Sequence, residues 1–275
     1  MRIPPVRISK QSRSWLLVVL AAVWGCEPAP PRLLVLSPEV ARVLVDFEVA
    51  AAVAGADDRS RALPELAHAT SLGALEGRDV ARAVALAPAL ALGLARDAER
   101  RFAARLGARG VQVELFDPRS MDEVLSALQR LGALVGHPER AYPLVRRMLL
   151  DVTKTAVARD GKRRLTVVWV VDRDPLTVVG GIGLLHELLE LAGAENAVHG
   201  TSGERVVLGE SGLAALRYDA IVDATGDEAR PSRDAGATTL RLAPEVAALP
   251  AFDVARRVRI LHERLYPERA PDGEE

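Results

Sequence analysis

From Arg32 onward, short apolar runs alternate with stretches whose apolar residues recur at helical spacing. Leu33-Leu34-Val35-Leu36 is an unbroken apolar run of buried-strand type. Ser37-Pro38-Glu39 then reads as a helix start, with serine as cap and proline in the first turn. Val40, Val43, Leu44 and Phe47 follow on one helical face. Val49 to Ala54 reads as a second strand, ended by Gly55-Ala56-Asp57-Asp58. Between Asp57 and about Arg78 apolar anchors are few and a long loop is expected. Asp79 caps a short helix to Leu86, and Ala89 to Leu94 is another apolar strand. Asp97 to Ala108 is an amphipathic helix with Arg100, Arg101 and Arg105 outward. Val111 to Phe116 is a strand closed by Asp117-Pro118.

The alternation lapses between residues 121 and 160. Met121 to Leu134 is helical, Gly136-His137-Pro138 breaks the pattern, and Glu139 to about Arg159 resumes it for some five turns. Two helical stretches with no strand between them suit a spacer rather than a further strand–helix unit. The apolar runs Leu165 to Val171 and Leu176 to Val179 restart the alternation. The turn Gly180-Gly181-Ile182-Gly183 leads into a helix from Leu184 to Leu191. Ala220 to Val222 and Thr239 to Leu242 are further strands, and Asp253 to Tyr266 is a closing helix with Val254, Val258, Leu261 and Leu265 on one face. The fold class is therefore α/β: two Rossmann-like lobes with parallel sheets, 32–120 and 161–268, joined by one long rigid α-helix within 121–160. Residues 269–275 form an acidic tail.

The leader changes the picture of where the protein works. Arg2, Arg7, Lys10 and Arg13 precede an apolar run from Trp15 to Val23, and the run closes at Cys26, the only cysteine. A basic region, a short apolar region and a small residue before the cleavage site make residues 1–26 an export signal, too short in its apolar part to span a bilayer. Val23-Trp24-Gly25-Cys26 resembles the bacterial lipobox. That resemblance implies lipid on Cys26 and an exported protein held at a membrane surface, facing the periplasm or the cell exterior. Residues 27–31, with Pro28, Pro30 and Pro31, form a stiff tether. Removal of the leader takes away four bases and no acid, so the net charge of −1 falls to near −5. No basic excess remains to neutralise phosphates, which excludes nucleic acid as the natural partner. One cysteine excludes an intrachain disulfide and a thiolate metal site.

Catalytic chemistry is not encoded in any pattern. His68, His137, His186, His199 and His262 show neither i, i+4 pairing nor an HExxH arrangement. The glycine turn at 180–183 has His186 where a GxGxxG loop needs glycine. There is no GxSxG elbow and no P-loop. Ser37, Arg96, Asp172, Arg173 and Gly181 follow predicted strands or open a turn, which makes them the candidate lining of a cleft between the lobes.

Several strings resemble the class III periplasmic binding proteins of ABC importers, the cobalamin, haem and iron-siderophore receptors. Arg32-Leu33-Leu34-Val35-Leu36-Ser37-Pro38-Glu39 is similar to the family's first strand. Leu63-Pro64 followed by Arg82 through Leu90, and Val113 through Pro118, match later strand regions. Asp174-Pro175-Leu176, Gly180 and the block Leu184 through Asn196 carry the most specific part of the likeness, and Leu261 through Glu268 resembles the closing helix. The resemblance implies a monomeric receptor without catalysis. It would capture a corrinoid, haem or ferric siderophore between its lobes and deliver it to a permease with its ATPase. Two departures stand out. The glutamates that dock such receptors on their permease fall on Ala81 and Ser211, with Glu210 one position away from the second. No predicted cleft loop carries an aromatic side chain to hold a flat ligand; the loops offer Asp57, Asp58, Arg59, His68, Arg96, Asp172, Arg173, His199 and Arg205, a set suited to a polar or anionic ligand. Two other readings stand beside the receptor: a degenerate member of the family acting as an envelope interaction lipoprotein, and a secreted Rossmann-like enzyme suggested by the glycine turn.

Overall fold

The computed structural model describes residues 32–74, 77–158, 161–226, 238–242 and 251–267. Residues 1–31, where the sequence leads one to expect an export signal ending at Cys26 and a tether, and residues 268–275 lie outside the described residues.

The first lobe is built on a parallel sheet. Its strands are β1 (Leu33–Val35), β2 (Val53–Ala56), β3 (Thr70–Ser71), β4 (Leu90–Leu94) and β5 (Val113–Phe116), in the order β3-β2-β1-β4-β5. Leu34 pairs with Gly55 on one side and Ala91 on the other. β1 and β4 are buried along their whole length, as expected of strands covered on both faces. Helices α1 (Pro38–Asp46), α2 (Val80–Ala85) and α3 (Asp97–Gly107) make the crossovers. Asp79 caps α2 by accepting the Arg82 N–H at 3.0 Å. Ser37 stands at the N-cap of α1 but does not cap it: the side chain is fully buried, and its hydroxyl accepts the Leu94 N–H at 3.1 Å, tying the end of β1 to the end of β4.

Two expectations for this lobe change. The second strand starts at Val53, because α1 ends at Phe47, Glu48 turns with φ 56°, and Ala50–Ala52 form a 3₁₀ turn first. The stretch 57–78 is not a bare loop. Leu66, Ala69 and Leu72 are buried in it, and a buried ion cluster organises it. Arg78 pairs with Asp57 at 2.9 Å, lies 3.6 Å from Glu99, donates to the Leu36 carbonyl and sits over the Phe102 ring at 5.6 Å. A polar residue in the interior gives no apolar signal, which is why the sequence pattern missed this order.

The spacer is an antiparallel pair, α4 (Met121–Leu134) and α5 (Pro138–Ala158). Ser120 accepts the Glu123 N–H at 3.2 Å, and the Glu123 carboxylate reaches back to the Arg119 N–H at 2.7 Å, a capping box displaced by one residue. Helix α5 packs its Val145, Met148 and Val152 into one apolar core that also holds Phe47, Leu128 and Leu131 from one side and Trp169, Leu188 and Val258 from the other.

The second sheet departs from the expected parallel arrangement. Its strands are β6 (Thr166–Arg173), β7 (Leu176–Val179), β8 (Glu195–Asn196), β9 (Arg205–Val207), β10 (Ala220–Asp223) and β11 (Thr238–Arg241), and the main path runs β11-β10-β6-β7-β9. β10 is parallel to β6 and β11, but β7 is antiparallel to both β6 and β9. The cause is local: only Asp174-Pro175 separates β6 from β7, and so short a link joins neighbouring strands only as a hairpin. Helices α6 (Leu184–Leu191), α7 (Gly209–Ala215) and α8 (Val254–Leu265) complete the lobe. Helix α8 is pinned to it at its far end, where His262 Nδ1 lies 3.0 Å from the Ala192 carbonyl and the Tyr266 hydroxyl donates to the Gly193 carbonyl at 2.8 Å.

The glycine turn after β7 owes its composition to packing. A Cβ on Gly180 would stand 1.9 Å from the Gly203 carbonyl oxygen, and one on Gly181 would stand 2.2 Å from that of His199. Gly180→Ala is therefore expected to cost about 1–3 kcal/mol, read as a lower Tm. Gly200→Ala, whose new Cβ would meet nothing within 4 Å, is expected to leave Tm nearly unchanged.

Candidate functional site

Parallel strands bring all their carboxyl ends to one edge, and in both sheets the crossover changes side there. In the first sheet the reversal falls between β1 and β4, in the second between β6 and β10. Such switch points leave a crevice at the strand ends where ligands bind. Ser37 and Glu39 follow β1, Arg96 follows β4, Arg173 ends β6 and Asp223 ends β10.

Each switch point holds an ion pair. At the first, Arg96 Nη2 binds Glu39 Oε1; the arginine side chain is 45% exposed and the glutamate 2%. At the second, Arg173 donates to Asp223 Oδ2, with Nε at 3.2 Å, and both side chains are largely buried. Asp223 also accepts the Thr225 N–H at 3.0 Å and its hydroxyl at 2.7 Å. Burial raises the Asp223 pKa, but the bonds from Arg173 and Thr225 outweigh it and hold the carboxyl below its ordinary value.

The lobes meet across a cavity of about 230 Å3 lined by Asp117, Pro118 and Arg119 from the loop after β5, and by Ile182 to Leu185, Glu204 and Arg205 from the second lobe. Arg119 spans it, 3.2 Å from Asp117 on its own side and 3.6 Å from Glu204 on the other. A second bond joins the lobes outside the cavity lining: Glu187 Oε2 accepts the Met121 N–H at 2.6 Å, so a carboxylate of the second lobe satisfies the first turn of α4.

None of the five residues proposed from sequence lines this cavity. Ser37 is committed to Leu94 and is a floor tie rather than a contact surface. Arg96 and Arg173 stand at the two switch points, as their strand-end positions imply. Asp172 is exposed and accepts the Asp174 N–H at 3.1 Å, shaping the β6–β7 hairpin. Gly181 faces the 199–203 loop, and its N–H donates to Thr201 Oγ1 at 2.8 Å; its neighbours Ile182 and Gly183 reach the cavity instead. Asp117 to Arg119 obey the same strand-end rule and were legible on that ground. Glu204 was not, because β9 is too short and polar to announce the loop before it. The aromatic side chains are mostly core: Phe47, Phe102, Phe116, Trp169, Phe252 and Tyr266 are buried, while Tyr142 on α5 is exposed. The glycine turn is no dinucleotide loop, since it follows an antiparallel strand and its backbone is covered by the 199–203 loop.

Ala81 and Ser211 are both exposed, on the first turns of α2 and α7, and Glu210 is exposed beside Ser211. Asp79 is occupied as the cap of α2.

Comparison with known proteins agrees with this geometry. No family model matches the chain. It is 26% identical over 168 residues to the vitamin B12-binding protein of Salmonella typhi, covering 61% of this chain and 62% of the relative. It is 25% identical over 197 residues to that of Yersinia pseudotuberculosis, covering 70% and 69%. The chain thus spans about three fifths of the length of the first of these relatives. Among solved structures, a possible iron-binding periplasmic solute-binding protein from Staphylococcus epidermidis superposes with a TM-score of 0.74 at 15% identity, covering 86% of this chain and all of the other. The periplasmic vitamin B12 binding protein of Vibrio cholerae superposes with a TM-score of 0.64 at 14% identity, covering 86% and 98%.

The Arg173–Asp223 pair has a pH signature. Because the folded pKa of Asp223 lies below its unfolded value, the pair's stabilisation is present above the ordinary carboxylate range and lost as pH falls through the folded pKa. Asp223→Asn is expected to lower Tm at neutral pH and to narrow its gap to the wild type in strong acid, followed by circular dichroism. The likeness read from the sequence therefore stands, and the fold of this chain is that of the class III periplasmic binding proteins of ABC importers, whose compared relatives are binding proteins and not enzymes.

Proposed function

We propose that this protein is the substrate-binding component of an ABC importer, capturing a corrinoid or iron chelate between its lobes and handing it to a permease. The observation that carries the reading is the similarity to vitamin B12-binding proteins, in a chain whose two lobes close over a cavity at their strand ends. Lipid on Cys26 would hold the receptor beside its permease.

The cavity bears on how capture would work. At about 230 Å3 it is smaller than the several hundred Å3 of ordinary cofactor sites, so a corrinoid or haem requires the lobes to part. The ion pair across the cavity offers little resistance to that. The Arg119 and Glu204 side chains are 62% and 49% exposed, and an ion pair so solvated contributes about 1 kcal/mol or less. The helix pair α4–α5 and the shared core limit the excursion, which keeps the ordering cost of binding small. The charged lining favours a ligand with acidic or amide groups at its rim over one held by stacking alone. Permease docking would use the exposed starts of α2 and α7, with Glu210 as the acidic contact on the second lobe. The interaction-lipoprotein reading rests on Ala81 and Ser211 and on the lack of aromatics in the predicted cleft loops, and the similarity to binding proteins weighs against it.

Trp169 is the one tryptophan beyond the leader and lies buried on β6, the strand that ends at Arg173. Titration with cobalamin, cobinamide, haem and ferric siderophores, followed by inner-filter-corrected emission, is expected to show saturable quenching by one class at micromolar concentration or below. No response from any of them, with an unchanged Tm, would overturn the receptor reading. Cys26→Ser is expected to move the protein from the membrane fraction to the soluble fraction of its host.

A further inference from the structure

The joint between the lobes holds two charged side chains that each keep a buried polar atom without a partner among the described residues. Glu39, on the first turn of α1, uses Oε1 for Arg96, while its Oε2 is buried with no hydrogen-bond partner among the described residues. Arg257, on the first turns of α8, has its Nε buried and equally without a partner. The two lie in each other's electrostatic reach. Burial pushes the Arg257 pKa down to about 10, Arg96 adds to the push, and Asp253 and Glu39 oppose it. One charge belongs to the first lobe and the other to the second. The start of α8 already leans on the first lobe, with Phe252 edge-on to Phe116 at 6.2 Å between centroids.

A buried charge deprived of its partner is strongly destabilising, because nothing then offsets its lost hydration. Arg96 is the exposed member of its pair and stands at the switch point, where an acidic ligand group would reach it first. If such a group takes Arg96, Glu39 needs another cation; Arg42, Arg147 and Arg256 line the same cavity as Glu39 but are exposed to solvent, whereas Arg257, beside them on α8, carries a buried donor without a partner among the described residues. There is room for the shift: a cavity of about 370 Å3 lies at the joint, lined among others by Glu39, Asp46, Leu144, Met148, Phe252 and Asp253.

We propose that Glu39 is a shared counter-ion of the joint, neutralising Arg96 in the empty receptor and Arg257 once an acidic group of the ligand engages Arg96, so that binding at the switch point draws α8 and the second lobe onto the first. This deepens the receptor reading and rests on it for the ligand; Glu39 and Arg257 act as positioning residues and touch no ligand.

The test needs no ligand. Removing Arg96 by mutation leaves Glu39 in the state that an acidic group would create. In a full-length Cys26→Ser background, spin labels on Ala104→Cys and Ala214→Cys, both exposed and on opposite lobes, report the interlobe distance by pulsed electron resonance. Arg96→Ala is expected to shift the distribution to shorter distances. Adding Glu39→Gln or Arg257→Met is expected to abolish the shift, and Arg257→Lys, which keeps the charge, to retain it. An unchanged or lengthened distance in Arg96→Ala, or a shift that survives Glu39→Gln, would overturn the proposal. Arg96→Gln carries the same test should the alanine variant fold poorly. Ligand titration is a separate measurement, so the relay and the receptor reading fail independently.

Discussion

Everything that matters in this protein hangs on the central position of β1 and β6 in their sheets. Each has a parallel partner reached by a crossover to the side opposite the first connection, and that reversal opens a crevice beyond the strand ends. Backbone pairing alone cannot close the crevice, because the two chains leave it in opposite directions. Side chains do so instead: Ser37 joins β1 to β4, and Arg173 with Asp223 joins β6 to β10. The loops that leave those ends are therefore held by polar contacts rather than by apolar burial. That is a favourable arrangement for recognition, since polar contacts can be exchanged with a ligand while an apolar core cannot.

The two ion pairs at the switch points are not equivalent. Arg173 and Asp223 are both largely buried and Thr225 satisfies the carboxylate further, so the pair behaves as a fixed brace. Arg96 and Glu39 are split between water and interior, and the buried partner keeps one oxygen unsatisfied. A brace holds a lobe in shape; a half-satisfied pair has somewhere to go. The asymmetry gives the second lobe a rigid floor and places the adaptable charge on the first lobe, beside the joint.

Much of this was legible in the sequence, and what was not shares one cause. Apolar periodicity marked β1, β4, β6, β10 and helices α1 to α6 and α8 closely, because each buries an apolar stripe or run; α7, which buries no residue, gave no such signal. It failed wherever order comes from polar groups or from backbone contact. The stretch 57–78 looked unanchored because its anchor is Arg78, a guanidinium hidden against Asp57, Glu99 and Phe102. The second sheet looked parallel because strand runs carry no direction; the two-residue link Asp174-Pro175 was the signal for a hairpin. Gly181 was read as cleft lining, and it and Gly180 instead leave room for the backbone of residues 199–203. The strand-end rule found the switch points through Arg96 and Arg173, but it could not say which loops fold inward to meet each other. That depends on long-range docking, as between Arg119 and Glu204.

The shared core and the joint charges set opposite limits on lobe motion. Val145, Met148 and Val152 of α5 pack with Phe47 on one side and Val258 on the other, and separating such a core would expose apolar area at roughly 25 cal/mol per Å2. Large opening is therefore expensive. Small rotations about α5 cost little, because the cleft is bridged by an exposed pair and by one bond to the Met121 N–H. Helix α8 converts such a rotation into a local event. Its far end is fixed to the second lobe by His262 and Tyr266, so a rotation of that lobe would move its near end, with Arg257, relative to Glu39. Among the described residues the cavity lining carries no aromatic side chain, so a device at the joint would let a modest polar contact in the crevice act on both lobes.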